Sequence, residues 1–399
     1  MSYEYSEDAA VETPAVEKLE ELGWTIETAW THETFGENGL LGRAAKKEVV
    51  LTRYLKAALM RLNPNLPDSA YKSAIDKLIE KSVDKTLGQI NHDKHKLITQ
   101  GVPVEFKDAK GVLQKKRLKV IDFNQASNNH FLAVRQFEVD GEVYKNKRPD
   151  VVGFINGLPM VFFEFKSPSV NIVNAYNDNL KDYKDTITHL FHHNAFIILS
   201  NGVESKVGTI TSPFKFFLDW KRIDEDSEGV VSLETMLMGT CEPSRLLDII
   251  ENFVLFDSSG GEVVKIMAKN HQFIGVNRVI DQTKNIEELK GKLGVFWHTQ
   301  GSGKSYSMVF LAEKIHRKFG GAFTFLIVVD RSELENQLYD TFTSVGAVTE
   351  KNVKAESREH LRTLLADNHR YVFTLIHKFS IDPKKEQQFP LITERKNII

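Results

Sequence analysis

The chain has 399 residues, 41% hydrophobic and 27% charged, enough for two or three domains with cores of their own. A net charge of −2 excludes a global pull toward nucleic acid, so any such surface has to be a local patch. One cysteine, Cys241, excludes an internal disulfide framework and fits a reducing cytoplasm, and no run of about 18 apolar residues is present to span a membrane.

Residues 1–12 are acidic and polar, without the basic start and apolar stretch of a signal peptide, and are expected to be disordered. Helical patterns follow at about 14–22, 43–61 and 68–84. From about 103 the period shifts toward two. "VEFKD", "RLKVIDF", "HFLAVRQFEV" and "VVGFI…VFFEF" read as strands of one mixed or antiparallel sheet. "NAYNDNLKDYKDTITHLF" predicts a helix, "NAFIILSNG" a buried strand, "SKVGTITSPFKFFLDWK" further strand, and "PSRLLDIIENFVLF" a helix ended by the linker "DSSGG" at 257–261. Beyond it, strands alternate with helices, which implies a parallel sheet. The fold class is therefore α/β, with domains at 1–257 and 258–399.

One stretch contradicts its own pattern. "RPDVVGFINGLPMVFFEFKSP" (148–168) has two apolar runs around Asn156-Gly157, a hairpin signature. Yet Asp150, Glu164 and Lys166 sit in it. Residues i and i+2 of a strand share a face, so Glu164 and Lys166 point together. If Asp150 joins them, two carboxylates form a hard-oxygen site for Mg2+ beside an ammonium that can orient a water or neutralise a transition state. A two-residue turn pairs residues whose numbers sum to 313, which sets Asp150 against Phe163 and turns Glu164 to the other face. The hairpin is therefore expected to have a different turn or to carry a bulge. The plain alternative is a salt bridge at a strand end.

"HTQGSGKS" (298–305) is a second constellation. Small residues let backbone N–H groups surround phosphate, a lysine reaches the β/γ-phosphates, a hydroxyl holds Mg2+, and a helix N-terminus stands behind. Thr299, Gly301, Ser302, Gly303, Lys304 and Ser305 take those places for ATP, with Ser305 at the metal. His298 stands where the full pattern has glycine. A buried strand at 294–297 is expected before the loop. No acidic motor residue follows a later apolar strand, although Asn397–Ile399 reads as the beginning of one, so the chain is expected to be an N-terminal fragment of a longer protein.

Taken together, "RPD…EFK" resembles the PD-(D/E)xK nuclease signature. The phosphate loop with "VVDRSELENQL" and "TLIHKF" resembles the first motor domain of superfamily 2 helicases. Their order, with "KKEVVL", "LNPNLP", "VIDFNQASNNHFLAVRQF", "NGLPMVFFEFK" and "NHQFIGVNRV", resembles the restriction (R, motor) subunit of Type I restriction–modification enzymes over nearly all of 40–399. The resemblance implies a nuclease domain with a mixed sheet flanked by helices, followed by a truncated RecA-like P-loop domain. It implies nuclease roles for Asp150, Glu164 and Lys166, and a supporting role for Glu48 on an early helix. Tyr183 matches the tyrosine of a Gln-x-x-x-Tyr pair whose first member here is Asn179. Gln272 would read adenine. Asp330, Arg331, Gln337, Thr374 and Lys378 would lie near the DNA backbone, although Ser332 and Glu335 also read as a capping box. Implied partners are double-stranded DNA and the methyltransferase (modification) and specificity subunits. The implied activity is ATP-dependent translocation with endonucleolytic cleavage, in the cytoplasm. The basic stretch at 107–119 reads mainly as a solvated hairpin, and "HDKH" (92–95) and His192-His193 lack zinc spacing. Two alternatives stay open: another superfamily 2 helicase–nuclease, and a nucleotide-gated assembly module with an inert nuclease site.

Overall fold

The computed structural model describes residues 8–82, 84–108, 110–141, 146–381, 388 and 390–399. The disorder expected for 1–7 lies outside these. Residues 8–12 form a π-helical turn instead of loose chain. Two compact units emerge: one runs to Leu255 and includes Glu262–Asn270, and the other comprises Phe256–Gly261 and His271–Ile399.

The first unit contains α1 (Thr13–Glu21), β1 (Thr25–Thr28), α2 (Thr52–Leu62), α3 (Asp68–Ile79), α4 (Leu87–Gln100), β2 (Val102–Lys107) and β3 (Leu113–Leu118). There follow β4 (Phe131–Arg135), β5 (Val139–Asp140), β6 (Asn146–Lys147), β7 (Val151–Ile155), β8 (Leu158–Phe165), α5 (Lys181–Thr186), β9 (Phe196–Ser200), β10 (Ser205–Gly208), α6 (Leu233–Thr240) and α7 (Pro243–Asn252). A mixed six-stranded sheet runs β1-β4-β7-β8-β9-β10, with β1 parallel to β4 and β8 parallel to β9. Every residue of β7 and β8 is buried, which is why both read as continuous apolar runs without alternation. The strands expected at "VEFKD" and "RLKVIDF" form a separate hairpin, β2–β3, because Val102, Val104 and Phe106 bury one face and α3 lies against β2.

The helix expected at 43–61 begins only at Thr52. Buried Val49, Val50 and Leu51 anchor the preceding segment of bends and turns, and the Leu51 amide donates to the Gly157 carbonyl at 2.8 Å. That tertiary bond stands in place of a helical one. Helix α4 escaped the periodicity reading although its capping box, Thr86 with Gln89, is visible in sequence. "HDKH" lies on α4, where buried Lys94 donates to the carbonyls of Lys77 and Glu80 at the end of α3, each at 2.8 Å. His193 pairs with the Leu78 carbonyl. Among the described residues, no cluster of three or more histidine, cysteine or acidic side chains could hold a metal, and no helix is long and apolar enough to cross a membrane.

After β11 (Val254–Asp257), β12 (Val264–Met267) and α8 (Asn270–Lys284), the second unit adds α9 (Lys304–Lys318), β13 (Phe325–Val329), α10 (Ser332–Ser344), α11 (Arg358–Ala366) and β14 (Tyr371–Leu375). β13 and β14 pair in parallel. Thr324 bridges to Ile398 on the other side of β13. The strand expected at 294–297 is not formed: Val295 is 94% exposed and Trp297 79%. A strand exists only beside a partner that takes its backbone groups, and no described segment pairs with this one. The Ser332–Glu335 capping box is also absent, because Ser332 is already helical and Arg331 is the N-cap.

Candidate functional site

The hairpin turn has Asn156 at φ 51° and Gly157 at φ 82°, the paired left-handed conformation of a two-residue type I′ turn. Asn156 is locked there by donating to the Val120 carbonyl and accepting from the His130 amide, both at 2.9 Å. A Cβ on Gly157 would lie 2.4 Å from the Leu51 carbonyl oxygen, so only glycine fits. From the turn, Ile155 pairs with Leu158 and Phe154 with Pro159, sums of 313. Then the register shifts, and Gly153 pairs with Val161, Val152 with Phe162 and Val151 with Phe163, sums of 314. Met160 is the extra residue. Its carbonyl is taken by the Ala195 amide at 2.6 Å, at the entry to β9. The expected bulge is therefore present, and continuing the shifted register sets Asp150 opposite Glu164.

Asp150 accepts the Phe165 amide on Oδ2 at 2.7 Å. The Lys166 ammonium stands 3.2 Å from Glu164 Oε1 and 2.9 Å from the Phe165 carbonyl. Glu164 is 1% exposed. Tyr183, on α5, is buried against Phe162. Burial pushes its hydroxyl up, and the carboxylates of Glu164 and Asp150 push the same way, so the phenol stays protonated. Asn179 reaches the Tyr183 hydroxyl at 3.4 Å despite its shorter side chain.

Glu48 departs from expectation. It lies in a turn, not on a helix, and is exposed. Its carboxylate accepts the Ala44 amide at 2.9 Å and makes no hydrogen bond to Asp150, Glu164 or Lys166 among the described residues. Periodicity counted residues 43–51 as helix when they are pinned by Arg43. That guanidinium is fully buried, pairs with both oxygens of Glu33 at 2.5 Å, and donates to the carbonyls of Lys46, Glu48 and Glu138.

Sequence reading missed the support beneath Asp150. Gln136 has φ 52°, a left-handed conformation that costs a non-glycine residue roughly 1 kcal/mol or more. In that conformation its amide donates to the Asp150 carbonyl at 2.7 Å. Its side chain donates to Glu12 at 2.9 Å, and the other oxygen of Glu12 takes Arg135 at 2.9 Å. Nothing in a sequence reports a positive φ at glutamine.

In the second unit the loop 298–303, expected to hold phosphate, leads into α9. Gly303 is its N-cap at φ 96°, and Gly301 has φ 77°. Thr299 accepts the Ser302 amide through its carbonyl at 3.3 Å, Lys304 donates to the His298 carbonyl at 2.8 Å, and Ser305 lies in the first turn. His298 is not among the residues with positive φ, so its backbone does not require glycine. Its ring packs against His271 and Phe296 at 4.6 and 4.4 Å. Burial, then His271 and Lys304, hold its pKa down. Gln272 is 3% exposed and donates to the Gly303 carbonyl at 2.8 Å and to Ser307 at 3.2 Å, so it braces the loop. Thr374 is fully buried on β14, and Lys378 donates to the Ala355 carbonyl, so neither offers its polar group outward.

Residues 4–216 match the family described as Type I restriction enzyme R protein N terminus, and residues 271–399 match the SWI2/SNF2 ATPase family. Over 408 residues the chain is 35% identical to "Type I restriction enzyme HindI endonuclease subunit" of Haemophilus influenzae, covering 98% of this chain and 38% of that one. It is 31% identical over 431 residues to "Putative type I restriction enzyme MjaIXP endonuclease subunit" of Methanocaldococcus jannaschii, covering 99% and 39%. The chain thus spans about two fifths of the length of these relatives. With the N-terminal match covering more than half of its residues and the relatives covering nearly all of it, the chain belongs to the Type I restriction enzyme R protein family.

Proposed function

We propose that this chain carries the Mg2+-dependent DNA-cleaving site and the ATP-binding loop of a Type I restriction subunit. In this reading the whole protein translocates double-stranded DNA with ATP and cuts it in complex with modification and specificity subunits, in the cytoplasm. The observation that carries the reading is the Met160 bulge, which turns a buried hairpin so that Asp150 and Glu164 converge with Lys166.

The donor set fits a hard divalent cation, since two carboxylates from neighbouring strands meet where a sheet would otherwise exclude charge. Asp150 and Glu164 would hold a Mg2+, which when bound would stabilise charge on the phosphodiester as a Lewis acid and lower the pKa of a bound water. The chain's own groups do the rest. The Phe165 amide fixes one Asp150 oxygen, and Lys166 pairs with Glu164 and stands ready to orient a water or to neutralise charge developing on phosphate. Tyr183, protonated on the buried side, can offer its hydroxyl proton to the substrate. In the second unit, Gly301 and Gly303 leave backbone N–H groups open at the start of α9, where Lys304 and Ser305 complete a phosphate site for ATP.

Nicking of supercoiled plasmid by the chain, with Mg2+ and with EDTA, tests the reading. Cleavage is expected with Mg2+ alone and is lost in Asp150→Asn and Lys166→Ala. Equal cleavage by either variant, or cleavage in EDTA, overturns it, and a wild-type chain that binds Mg2+ and DNA without cutting favours an inert site.

A further inference from the structure

The end of the sheet that carries Asp150 also carries an exposed aromatic–arginine pair. Trp30 follows β1, and the neighbouring Ala29 amide donates to the Arg135 carbonyl at 3.0 Å. Arg135 is in register with Val151, so Trp30 stands one strand away from the start of β7. The Arg148 guanidinium lies 4.3 Å from the centroid of the Trp30 ring, and Arg148 is two residues, at most about 7 Å of chain, from Asp150.

Two properties of the pair are not accounted for by folding. Trp30 is 50% exposed, while Trp24 and Trp220 in the same unit are 2% and 1%; a structural indole is ordinarily buried. Arg148 is exposed and makes no hydrogen bond among the described residues. Among the described residues, Lys147 pairs with Asp182, and Lys46 with Glu138 at 2.7 Å. Glu138 also feels Arg148 but is engaged by Lys46 and by Asn146. Arg148 thus brings an exposed cation to the end of the sheet that carries Asp150, whose carboxylate and that of Glu164 would otherwise repel a phosphodiester.

We propose that Trp30 and Arg148 form a DNA-strand contact beside the cleavage site. With one face stacked on the indole, the guanidinium turns its N–H edge outward, where it grips the phosphate next to the scissile one. Trp30 offers its free surface to the adjoining sugar or base. The inference rests on the nuclease reading.

The test uses the full chain, a fluorescent duplex of about 30 base pairs, and Ca2+ in place of Mg2+. Arg148→Ala is expected to weaken binding several-fold and to reduce the slope of log K against log salt by about 1. Arg148→Lys falls between, because an ammonium does not stack as a plane. Trp30→Ala weakens binding and Trp30→Phe largely keeps it; a folded conservative variant thus accompanies each deletion. On a Trp297→Phe background the remaining tryptophans besides Trp30 are buried, so quenching by DNA reports Trp30. With Mg2+, Arg148→Ala and Trp30→Ala should raise the DNA concentration giving half-maximal cleavage more than they lower the maximal rate. If the wild type cleaves and both alanine variants bind and cleave like it, the inference falls and the nuclease reading stands. If Asp150→Asn and Lys166→Ala cleave like the wild type, the nuclease reading falls and takes the inference with it.

Discussion

Lys166→Met is the most informative single perturbation. The Lys166 side chain is 15% exposed and Glu164 1%, with the charged atoms 3.2 Å apart. At an effective dielectric of about 20, that separation corresponds to about 5 kcal/mol of attraction. Removing the ammonium leaves a buried carboxylate, a change that costs roughly 3–5 kcal/mol in buried pairs; with screening from the lysine side, about 3 kcal/mol is expected. Glu164→Gln removes the buried charge while keeping its shape, and should change stability by no more than about 1 kcal/mol. The double variant should recover most of the loss, giving a coupling of roughly 2–3 kcal/mol. Urea unfolding on a Trp297→Phe background reads the first unit through its buried Trp24 and Trp220. All three variants should fail to cleave DNA, so Glu164→Gln is inactive yet stable. An additive cycle, with Lys166→Met as stable as the wild type, would refute the picture of a buried, ionised Glu164 sustained by Lys166.

Three further outcomes follow from the geometry. Lys265 is buried, donating to Asn91 at 2.9 Å and to the Asn194 carbonyl at 2.5 Å, and burial lowers it to about 7 from 10.5. Between those values the unfolded chain binds one more proton, so stability rises with pH by on the order of 1 kcal/mol per unit. Lys265→Met should remove that slope, while Lys94, lowered to about 8 mainly by burial, contributes equally to both proteins and cancels. A difference between wild type and variant that stays flat from about pH 7 to 10 would show Lys265 to be solvated. Because Gln272 holds Gly303 and Ser307, Gln272→Ala should weaken ATP and GTP binding alike in calorimetry; a loss confined to ATP would mean that this side chain reads adenine. Glu12→Ala strips Arg135 and Gln136 of a buried partner and should destabilise the first unit by about 2–3 kcal/mol while lowering cleavage. Unchanged melting and cleavage would exclude Glu12 from the support of Asp150.

Much of the site was legible in one dimension because its chemistry is encoded by residue type and spacing. Asn156-Gly157 announced a turn, since few residues accept two consecutive positive φ values. The two acids and the lysine announced a cost that an apolar hairpin would not otherwise bear. The glycines and lysine at 301–304 announced a phosphate loop. Even the bulge was deducible, because period-two geometry cannot otherwise bring Asp150 and Glu164 to one face. The remainder depended on partners distant in sequence. Residues 43–51 have helical periodicity, but Arg43, Glu33 and the Gly157 carbonyl hold them in bends and turns. Residues 294–297 have a strand's composition but no neighbour to pair with. Gln136 takes a left-handed conformation that only its contacts with Asp150 and Glu12 make tolerable. The sequence by itself determined which residues are candidates for the proposed chemistry, since those lie in side-chain identity and local period. Only the tertiary structure decided which backbone groups hold those side chains in place, because hydrogen-bond partners 15 to 124 residues apart leave no mark on local pattern.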